Sequence, residues 1–122
     1  MSQRNYKVAV VDDDVRGQES LENLFESAGY EVHLFASARA VLAYGLTAFD
    51  CLITDIGMPG MDGFQLRDAV RRERPDLPVF LVTGRHEISD QQRAIRADVA
   101  GFFCKPFDGR SLLTAVEKSL KD

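Results

Sequence analysis

Three acidic side chains stand where predicted strands end. Asp12 and Asp13 follow the apolar run at residues 6–11, and Asp55 follows the apolar run at residues 49–54. Apolar runs that stop at turn-forming segments are typical of buried strands. Taken alone, Asp55 fits an ordinary strand-to-turn junction as well as a functional site, because Asp is a common turn residue. Whether these carboxylates do chemistry therefore depends on whether the fold brings them together.

The order of the predicted elements indicates how these acids are positioned. Apolar runs predict five strands, each followed by an amphipathic helix, at residues 6–11, 30–35, 49–54, 79–83 and 100–104. Strands that alternate with helices form a parallel sheet covered by helices on both faces. We therefore predict an α/β fold, a flavodoxin-like (βα)5 doubly wound sandwich whose parallel five-stranded sheet has the order 2-1-3-4-5. We expect it to form a single domain over residues 1–122.

In such a sheet the ligand crevice lies at the carboxyl ends of strands one and three, where Asp12, Asp13 and Asp55 would converge. Crowded carboxylates disfavour one another's ionised forms. A divalent cation relieves that repulsion, and Mg²⁺ prefers carboxylate, carbonyl and water oxygens. Thr83 and Lys105 end strands four and five, so a hydroxyl and an ammonium group reach the same edge. This set of groups suits phosphoryl chemistry, which depends on positioning and charge neutralisation.

Four short motifs, in order along the chain, resemble the receiver (CheY-like) domain of bacterial two-component response regulators. They are Val11-Asp12-Asp13, Asp55 with Met58-Pro59-x-Met61-x-Gly63, Thr83-Gly84, and Lys105-Pro106-Phe107. Each motif is weak alone, whereas all four in order at strand ends form a specific pattern. The residues around the third and fourth motifs are most similar to the FixJ-type group, and the resemblance covers essentially the whole chain.

The resemblance implies a role for each matching acid. Asp55 would be the phosphoacceptor, which takes a phosphoryl group from a sensor histidine kinase as an acyl phosphate. Asp12 and Asp13 would hold Mg²⁺ together with Asp55 and the backbone carbonyl of Gly57. The family is a phosphoacceptor switch and not an enzyme in the usual sense, so the expected reactions are limited to phosphorylation and dephosphorylation of the domain itself.

The resemblance also implies a conformational switch. Thr83 would bind one phosphoryl oxygen and Lys105 another, and the Lys105–Pro106 peptide bond would be cis. The aromatic ring of Phe102 would move inward as Thr83 approaches the phosphate. Phe103 lies next to it, and a register shift of one residue would exchange the faces of the two rings. The altered surface would be helix four, strand five and helix five, with homodimerisation or docking to an effector domain as the output.

Composition excludes several other classes of function. The net charge of −4 disfavours direct nucleic-acid binding, because an acidic domain gains nothing from counterion release. No apolar stretch approaches the roughly 20 residues that span a membrane, and the N-terminus lacks the apolar core of a signal peptide. We therefore expect a cytoplasmic protein with no membrane contact. The two cysteines, Cys51 and Cys104, are expected to be buried free thiols. The pattern fits both a free-standing receiver and the first domain of a longer regulator.

Two alternative functions use the same residues. A phosphatase of the haloacid dehalogenase type would also use an Asp nucleophile, but it needs a second acid two residues later, where this chain has Gly57. It also needs a cap insertion for which this chain has no room. A receiver-like module that no longer accepts phosphate is the other alternative, and the complete set of acids, Thr83 and Lys105 argues against it.

Some local features have a structural interpretation beside the functional one. Asp14 directly precedes the first helix, so N-capping is favoured over metal binding. The fourth helix is only weakly apolar, with Ser89 as its predicted cap and Ile88 and Ile95 as its predicted anchors. Arg85 lies two residues after Thr83, close enough to reach over the site and tune hydrolysis of an acyl phosphate.

Overall fold

The computed structural model describes residues 6–84 and 88–121, in which strands alternate with helices. The elements are β1 (Lys7–Val11), α1 (Val15–Ser27), β2 (Glu31–Phe35), α2 (Ala38–Tyr44), β3 (Cys51–Asp55), α3 (Gly63–Glu73), β4 (Val79–Thr83), α4 (Ile88–Ala97), β5 (Gly101–Cys104) and α5 (Gly109–Lys121). All five predicted strands form. Asp55 is the last residue of β3 and not the first residue after it.

The strands form one parallel sheet of order β2-β1-β3-β4-β5, which confirms the predicted fold. β1 lies between β2 and β3, and Val11 is in register with both Phe35 and Thr54. The residues that follow β1 and the last residue of β3 therefore reach the same edge of the sheet. We call this the carboxyl edge and the opposite one the amino edge.

Alternating side chains of the strands pack into two cores, one on each face of the sheet. Val8 and Val10 face α1 and α5, where they join a cluster that includes Phe25 and Leu112. Ala9 and the other strand residues whose side chains point to the same face of the sheet pack toward α2, α3 and α4. β1, β3 and β4 are buried on both faces, as central parallel strands are. Two-sided burial fixes the register, because a shift of one residue would exchange the two faces.

Polar caps start the helices beside the strand ends. Asp14 caps α1 by accepting a hydrogen bond from Arg16 N at 3.0 Å. Asp62 and Gln65 form the predicted capping box of α3, with bonds of 2.8 and 2.9 Å between each side chain and the other residue's backbone N–H. These caps satisfy N–H groups that have no partner within their helix, so each chain reversal after a strand is fixed in place.

The predicted anchors of α4 are wrong in part. Ile95 is 80% exposed, while Ala94 and Asp90 are buried. The guanidinium of Arg93 lies 4.3 Å from the centroid of the Phe64 ring, so a cation–π contact links α4 to α3. The apolar pattern of a short polar helix leaves its rotation ambiguous. Here Ala94 faces the core in place of the isoleucine, and the exposed Arg93 covers the Phe64 ring.

Other local predictions have mixed outcomes. Ser89 lies within α4 and does not precede it. The side chain of Ile88 and all of Arg85 lie outside the described residues. Cys51 is a buried free thiol whose pKa is raised by burial, as expected, but the free thiol of Cys104 is only partly buried, at the end of an edge strand. In the described part of the chain, no helix is both long enough and apolar enough to span a membrane.

Candidate functional site

Three carboxylates meet at the carboxyl edge of the sheet. One oxygen each from Asp12, Asp13 and Asp55 lie within 4.8 Å of one another. Asp12 is fully buried, Asp55 is half-buried and Asp13 is exposed. The cluster is therefore open to solvent on one side and closed by the sheet on the other, which leaves access for a cation or a reacting group.

The carboxylate of Asp55 is held in a defined orientation. Its Oδ1 accepts a hydrogen bond from Ile56 N at 2.7 Å. Burial raises the pKa of this carboxyl and the charge of Asp12 raises it further, while Lys105 and the backbone N–H groups of Ile56 and Gly57 act in the opposite direction. The net shift of the pKa is upward, so ionisation of Asp55 costs free energy. A cation bound beside the carboxylate would lower that cost.

Asp12 is the buried centre of the cluster. Its Oδ1 accepts a hydrogen bond from Asp14 N at 2.9 Å, and its Oδ2 lies 3.4 Å from Lys105 Nζ. A fully buried carboxylate requires such partners. Lys105 in turn donates its backbone N–H to Thr83 O at 2.7 Å, and the Lys105–Pro106 peptide bond is cis. The ends of β1, β4 and β5 are thereby tied together around one acid.

Sequence reasoning missed a glycine that makes room for Asp12. A Cβ atom added to Gly17 would overlap Asp12 Oδ2 and lie 2.9 Å from its Cγ. Gly17 is in the first turn of α1, so any side chain there would displace either the carboxylate or the helix. A glycine inside a helix costs about 0.5–1 kcal/mol relative to alanine, and that cost is the sequence signal that could have identified this position.

A second glycine, within the motif after Asp55, has a similar structural reason. A Cβ atom at Gly63 would overlap the backbone carbonyl of Asp55 and lie 2.9 Å from Ile56 Cα. Gly63 N also donates to Ile56 O at 3.0 Å. The start of α3 is therefore packed directly against the end of β3. This contact helps to place the loop that carries Gly57.

Thr83 and Phe102, the predicted switch residues, lie on the neighbouring strands β4 and β5. Thr83 is the buried last residue of β4 and is in register with Cys104. Phe102 packs on the core that faces α4, whereas Phe103 lies on the opposite face, where its ring centroid is 6.1 Å from that of Phe107. Of the two adjacent rings, Phe102 is thus the one next to α4.

Two sets of residues near the site have structural roles. Asp14, the N-cap of α1, is not a member of the acidic cluster. Met58 is buried in the core and Met61 packs against it, as the loop-anchor interpretation requires. A thioether is also a poor ligand for a hard cation.

The site contains donors of the kind that Mg²⁺ prefers. Asp12, Asp13 and Asp55 supply closely spaced carboxylate oxygens, and the exposed residue Gly57 follows Asp55 by two positions. Among the residues that the structure describes, the ammonium of Lys105 is the basic group that pairs with this cluster, through Asp12. The donor set and the charge imbalance both fit a divalent cation.

Comparisons with known proteins agree on one family. The model of the response regulator receiver domain matches residues 8–117. The chain is 31% identical over 115 residues to the transcriptional regulatory protein FixJ of Bradyrhizobium diazoefficiens, which covers 93% of this chain and 56% of FixJ. It is 36% identical over 110 residues to Nodulation protein W of the same organism, which covers 89% of this chain and 48% of that protein. The chain spans about half the length of these two relatives.

Solved structures agree with the fold. The chemotaxis protein CheY4 of Vibrio cholerae has a TM-score of 0.85 at 31% identity, with 96% of this chain and 100% of that chain covered. The BeF3-activated receiver domain of DrrB has a TM-score of 0.89 at 24% identity, with 98% and 100% covered, a likeness that concerns the fold alone. The predicted resemblance to FixJ-type and CheY-like proteins is confirmed.

Proposed function

This chain belongs to the response regulator receiver domain family of two-component signalling, and we propose that Asp55 is its phosphoacceptor. The observation that carries the proposal is the environment of Asp55. Its carboxylate ends β3, is half-buried, and lies within 4.8 Å of oxygens from two further acids. A nucleophile at this place is fixed by a backbone hydrogen bond and is still reachable from solvent.

The proposed reaction transfers a phosphoryl group from the phosphohistidine of a sensor kinase. An oxygen of Asp55 forms a bond to phosphorus while the P–N bond of the phosphohistidine breaks, and the imidazole keeps the electron pair. The product is an acyl phosphate that water can later hydrolyse. The domain would therefore catalyse only its own phosphorylation and dephosphorylation.

Mg²⁺ is the proposed cofactor. Asp12, Asp13, Asp55 and the carbonyl of Gly57 would hold it, and when bound it would supply charge neutralisation for the incoming phosphoryl oxygens. Support comes from the spacing of the three acids and from the raised pKa of Asp55. A neutral or singly charged species bound among the three carboxylates would leave more of their mutual repulsion uncompensated.

Lys105 and Thr83 are proposed to bind the phosphoryl oxygens. Lys105 Nζ is 3.4 Å from the buried Asp12, and about a third of its side chain is exposed, so the ammonium stands between that acid and solvent. Thr83 ends the neighbouring strand, and its carbonyl accepts the backbone N–H of Lys105. A movement of Thr83 would thus be transmitted directly to the start of the segment after β5.

The proposed output is a change in the surface formed by α4, β5 and α5. Phosphorylation adds about −1.5 to −2 charges, which Thr83, Lys105 and the cation would bind better in one conformation than in another. Phe102 lines a groove of about 300 Å³ with Ala94 and Ile95 of α4, so a change in its position would alter this surface. Homodimerisation or contact with an effector domain would follow, without direct nucleic-acid binding by this domain.

The phosphoacceptor assignment can be tested with a chemical phosphodonor. With Mg²⁺ and acetyl phosphate, we expect intact-mass analysis to show the gain of one phosphoryl group on the wild type and none on Asp55→Asn. Asp14→Asn is the matched control, because Asp14 is a nearby acid outside the cluster. Equal labelling of Asp55→Asn and wild type would show that the assignment is wrong. Turnover of a generic phosphate ester would instead favour a phosphatase.

A further inference from the structure

A cavity of about 240 Å³ opens at the amino edge of the sheet, away from the acidic cluster. It lies between the second half of α3 and the segments that lead into β4 and β5. Its charged lining consists of Arg67 and Arg71 from α3 and Arg74 at the C-cap of that helix, with Asp76 and Asp98 from the adjoining loops. Three guanidinium groups therefore line one small space.

Arg67 is buried without a full set of partners. Its side chain is 10% exposed, and the hydrogen bond that the structure gives its guanidinium is a long one, from Nη1 to Asp68 Oδ1 at 3.4 Å. A guanidinium has five N–H donors. In the described part of the chain, no fully enclosed side-chain nitrogen or oxygen lacks a partner. The remaining donors of Arg67 are therefore accessible to solvent, and the cavity is a space that this side chain lines.

The helix dipole does not account for this arginine. Arg71 and Arg72 lie in the last turn of α3, where cations favour the negative helix end. Arg67 is six residues before the last residue of the helix, and the dipole effect falls off within one turn. A buried cation in the middle of a helix calls for another compensating group.

Arginine side chains outnumber carboxylates in the lining of the cavity, by three to two. Arg74 is already engaged, with Asp76 at 2.8 Å and with the carbonyls of Leu46 and Phe49. Arg71 and Asp98 form no ion pair within 4.0 Å among residues 6–84 and 88–121. Arg67, whose contact with Asp68 is long, thus shares the cavity with the guanidinium of Arg71, which has no such ion pair, and with the carboxylate of Asp98.

We propose that this cavity binds a small phosphate-bearing molecule through Arg67 and Arg71. The planar fork of a guanidinium matches phosphate oxygens in a two-bond arrangement. A phosphate monoester carries nearly two negative charges at neutral pH, which suits two guanidinium groups better than a single carboxylate does. The volume is below the usual 300–1,000 Å³ of ligand pockets, so the ligand is small. This site is separate from Asp55 and does not depend on its phosphorylation.

Inorganic phosphate is the probe for the test. It is titrated into the full chain in Mg²⁺-free buffer at constant ionic strength, with backbone amide NMR shifts as the readout. Under these conditions the acidic cluster repels anions, so shifts at Val99 and Ala100 report the cavity. We expect saturable shifts there, with at least tenfold weaker binding in Arg67→Gln and in Arg71→Gln. Arg72→Gln, on the same helix but outside the cavity, should bind like the wild type.

Several results would overturn the proposal. These are the absence of saturable shifts, shifts confined to the loop after Asp55, unchanged binding in Arg71→Gln, or tighter binding of succinate than of phosphate. Arg71 is exposed, so its variant is expected to fold even if Arg67→Gln does not. Arg67→Lys, which keeps the charge and removes the fork, should bind phosphate more weakly than the wild type.

Discussion

At the carboxyl edge of the sheet, three acids come from the ends of two neighbouring strands, whereas at the amino edge three arginines come from one helix and its C-cap. Asp12 and Asp55 are brought together by the pairing of β1 with β3. Arg67, Arg71 and Arg74 are brought together by the helical repeat and by the way α3 packs. Like charges lie close together at both edges. The order of the strands determines where they meet at the carboxyl edge but not at the amino edge.

The two edges also differ in how their charges are compensated. At the amino edge Arg74 contacts Asp76 and two backbone carbonyls. At the carboxyl edge, among the described residues, the three acids lie beside the ammonium of Lys105, which is 3.4 Å from Asp12. We infer that Arg74 mainly stabilises the fold. The three acids of the carboxyl edge instead lower the stability of the folded protein until a cation binds. Variants at both edges test this difference.

Removal of Arg74 should cost the most stability. Arg74→Ala removes hydrogen bonds from Nη1 to Leu46 O at 2.9 Å and Phe49 O at 2.7 Å. Charged hydrogen bonds contribute about 1.5–3 kcal/mol each, and partial exposure reduces that value, so we expect a total loss of about 2 kcal/mol. Urea unfolding measures it, with the exposed Arg72→Ala as control. A loss no larger than that of Arg72→Ala would contradict a stabilising role for Arg74.

Gly17→Ala should weaken the cation site. The added methyl group would displace the Asp12 carboxylate, and we expect Mg²⁺ affinity to fall about tenfold, the range seen when a group that orients a ligand is lost. Calorimetric Mg²⁺ titration of both proteins measures the change. If Gly17 has no role beyond helix structure, alanine will leave Mg²⁺ affinity unchanged.

A double-mutant cycle separates the two roles of Gly17. In an Asp12→Ala background the overlap is gone, so Gly17→Ala should stabilise the protein by about 0.5–1 kcal/mol through helix propensity alone. In the wild-type background that gain should be absent or reversed. Identical effects in both backgrounds would mean that Gly17 does not act through Asp12.

Removal of one acid from each edge should change stability in opposite directions. The pKa of Asp55 is raised, mainly by burial, so its ionisation at neutral pH disfavours the folded state. We expect Asp55→Asn to stabilise the Mg²⁺-free protein by a small amount, because the side chain is only half-buried and its charge is screened. The hydrogen bond from Arg74 lowers the pKa of Asp76, so this acid favours folding above its ordinary pKa, and Asp76→Asn should destabilise the protein slightly.

Thermal unfolding in EDTA and in Mg²⁺ tests both expectations. Added Mg²⁺ should raise the melting temperature of the wild type and of Asp76→Asn more than that of Asp55→Asn. A destabilised Asp55→Asn in EDTA would show that the acidic cluster does not lower stability. A Mg²⁺ response of Asp55→Asn equal to that of the wild type would exclude Asp55 as a ligand.

The carboxyl edge could be predicted from the sequence because it depends on features that are local or topological. The apolar runs locate the strands, and right-handed βαβ connections then bring Asp12, Asp55, Thr83 and Lys105 to one edge. Small errors in the strand ends do not change this result. The alternating positions in β5 likewise predict that Phe102 and Phe103 lie on opposite faces.

Two features could not be predicted in the same way. They are the rotation of a helix about its own axis and the close approach of a helix to a neighbouring element. Ile95 was expected to be buried and is exposed, because Arg93 stacks on Phe64 and Ala94 faces the core. Arg67 was not singled out at all, although its side chain is buried on α3. A rotation of about 100° separates successive helical residues, so small differences in packing decide which charged side chain is enclosed.

The strand order, the edge that carries the acids and the residue types available for phosphoryl chemistry all follow from the amino-acid sequence alone. The packed structure was needed to show that Gly17 makes room for Asp12 and that Arg67 is enclosed beside Arg71. The two kinds of feature differ in the range of the interactions behind them. Strand alternation and turn chemistry act over a few residues, whereas contact between a helix and a neighbouring strand end depends on the packing of the whole core.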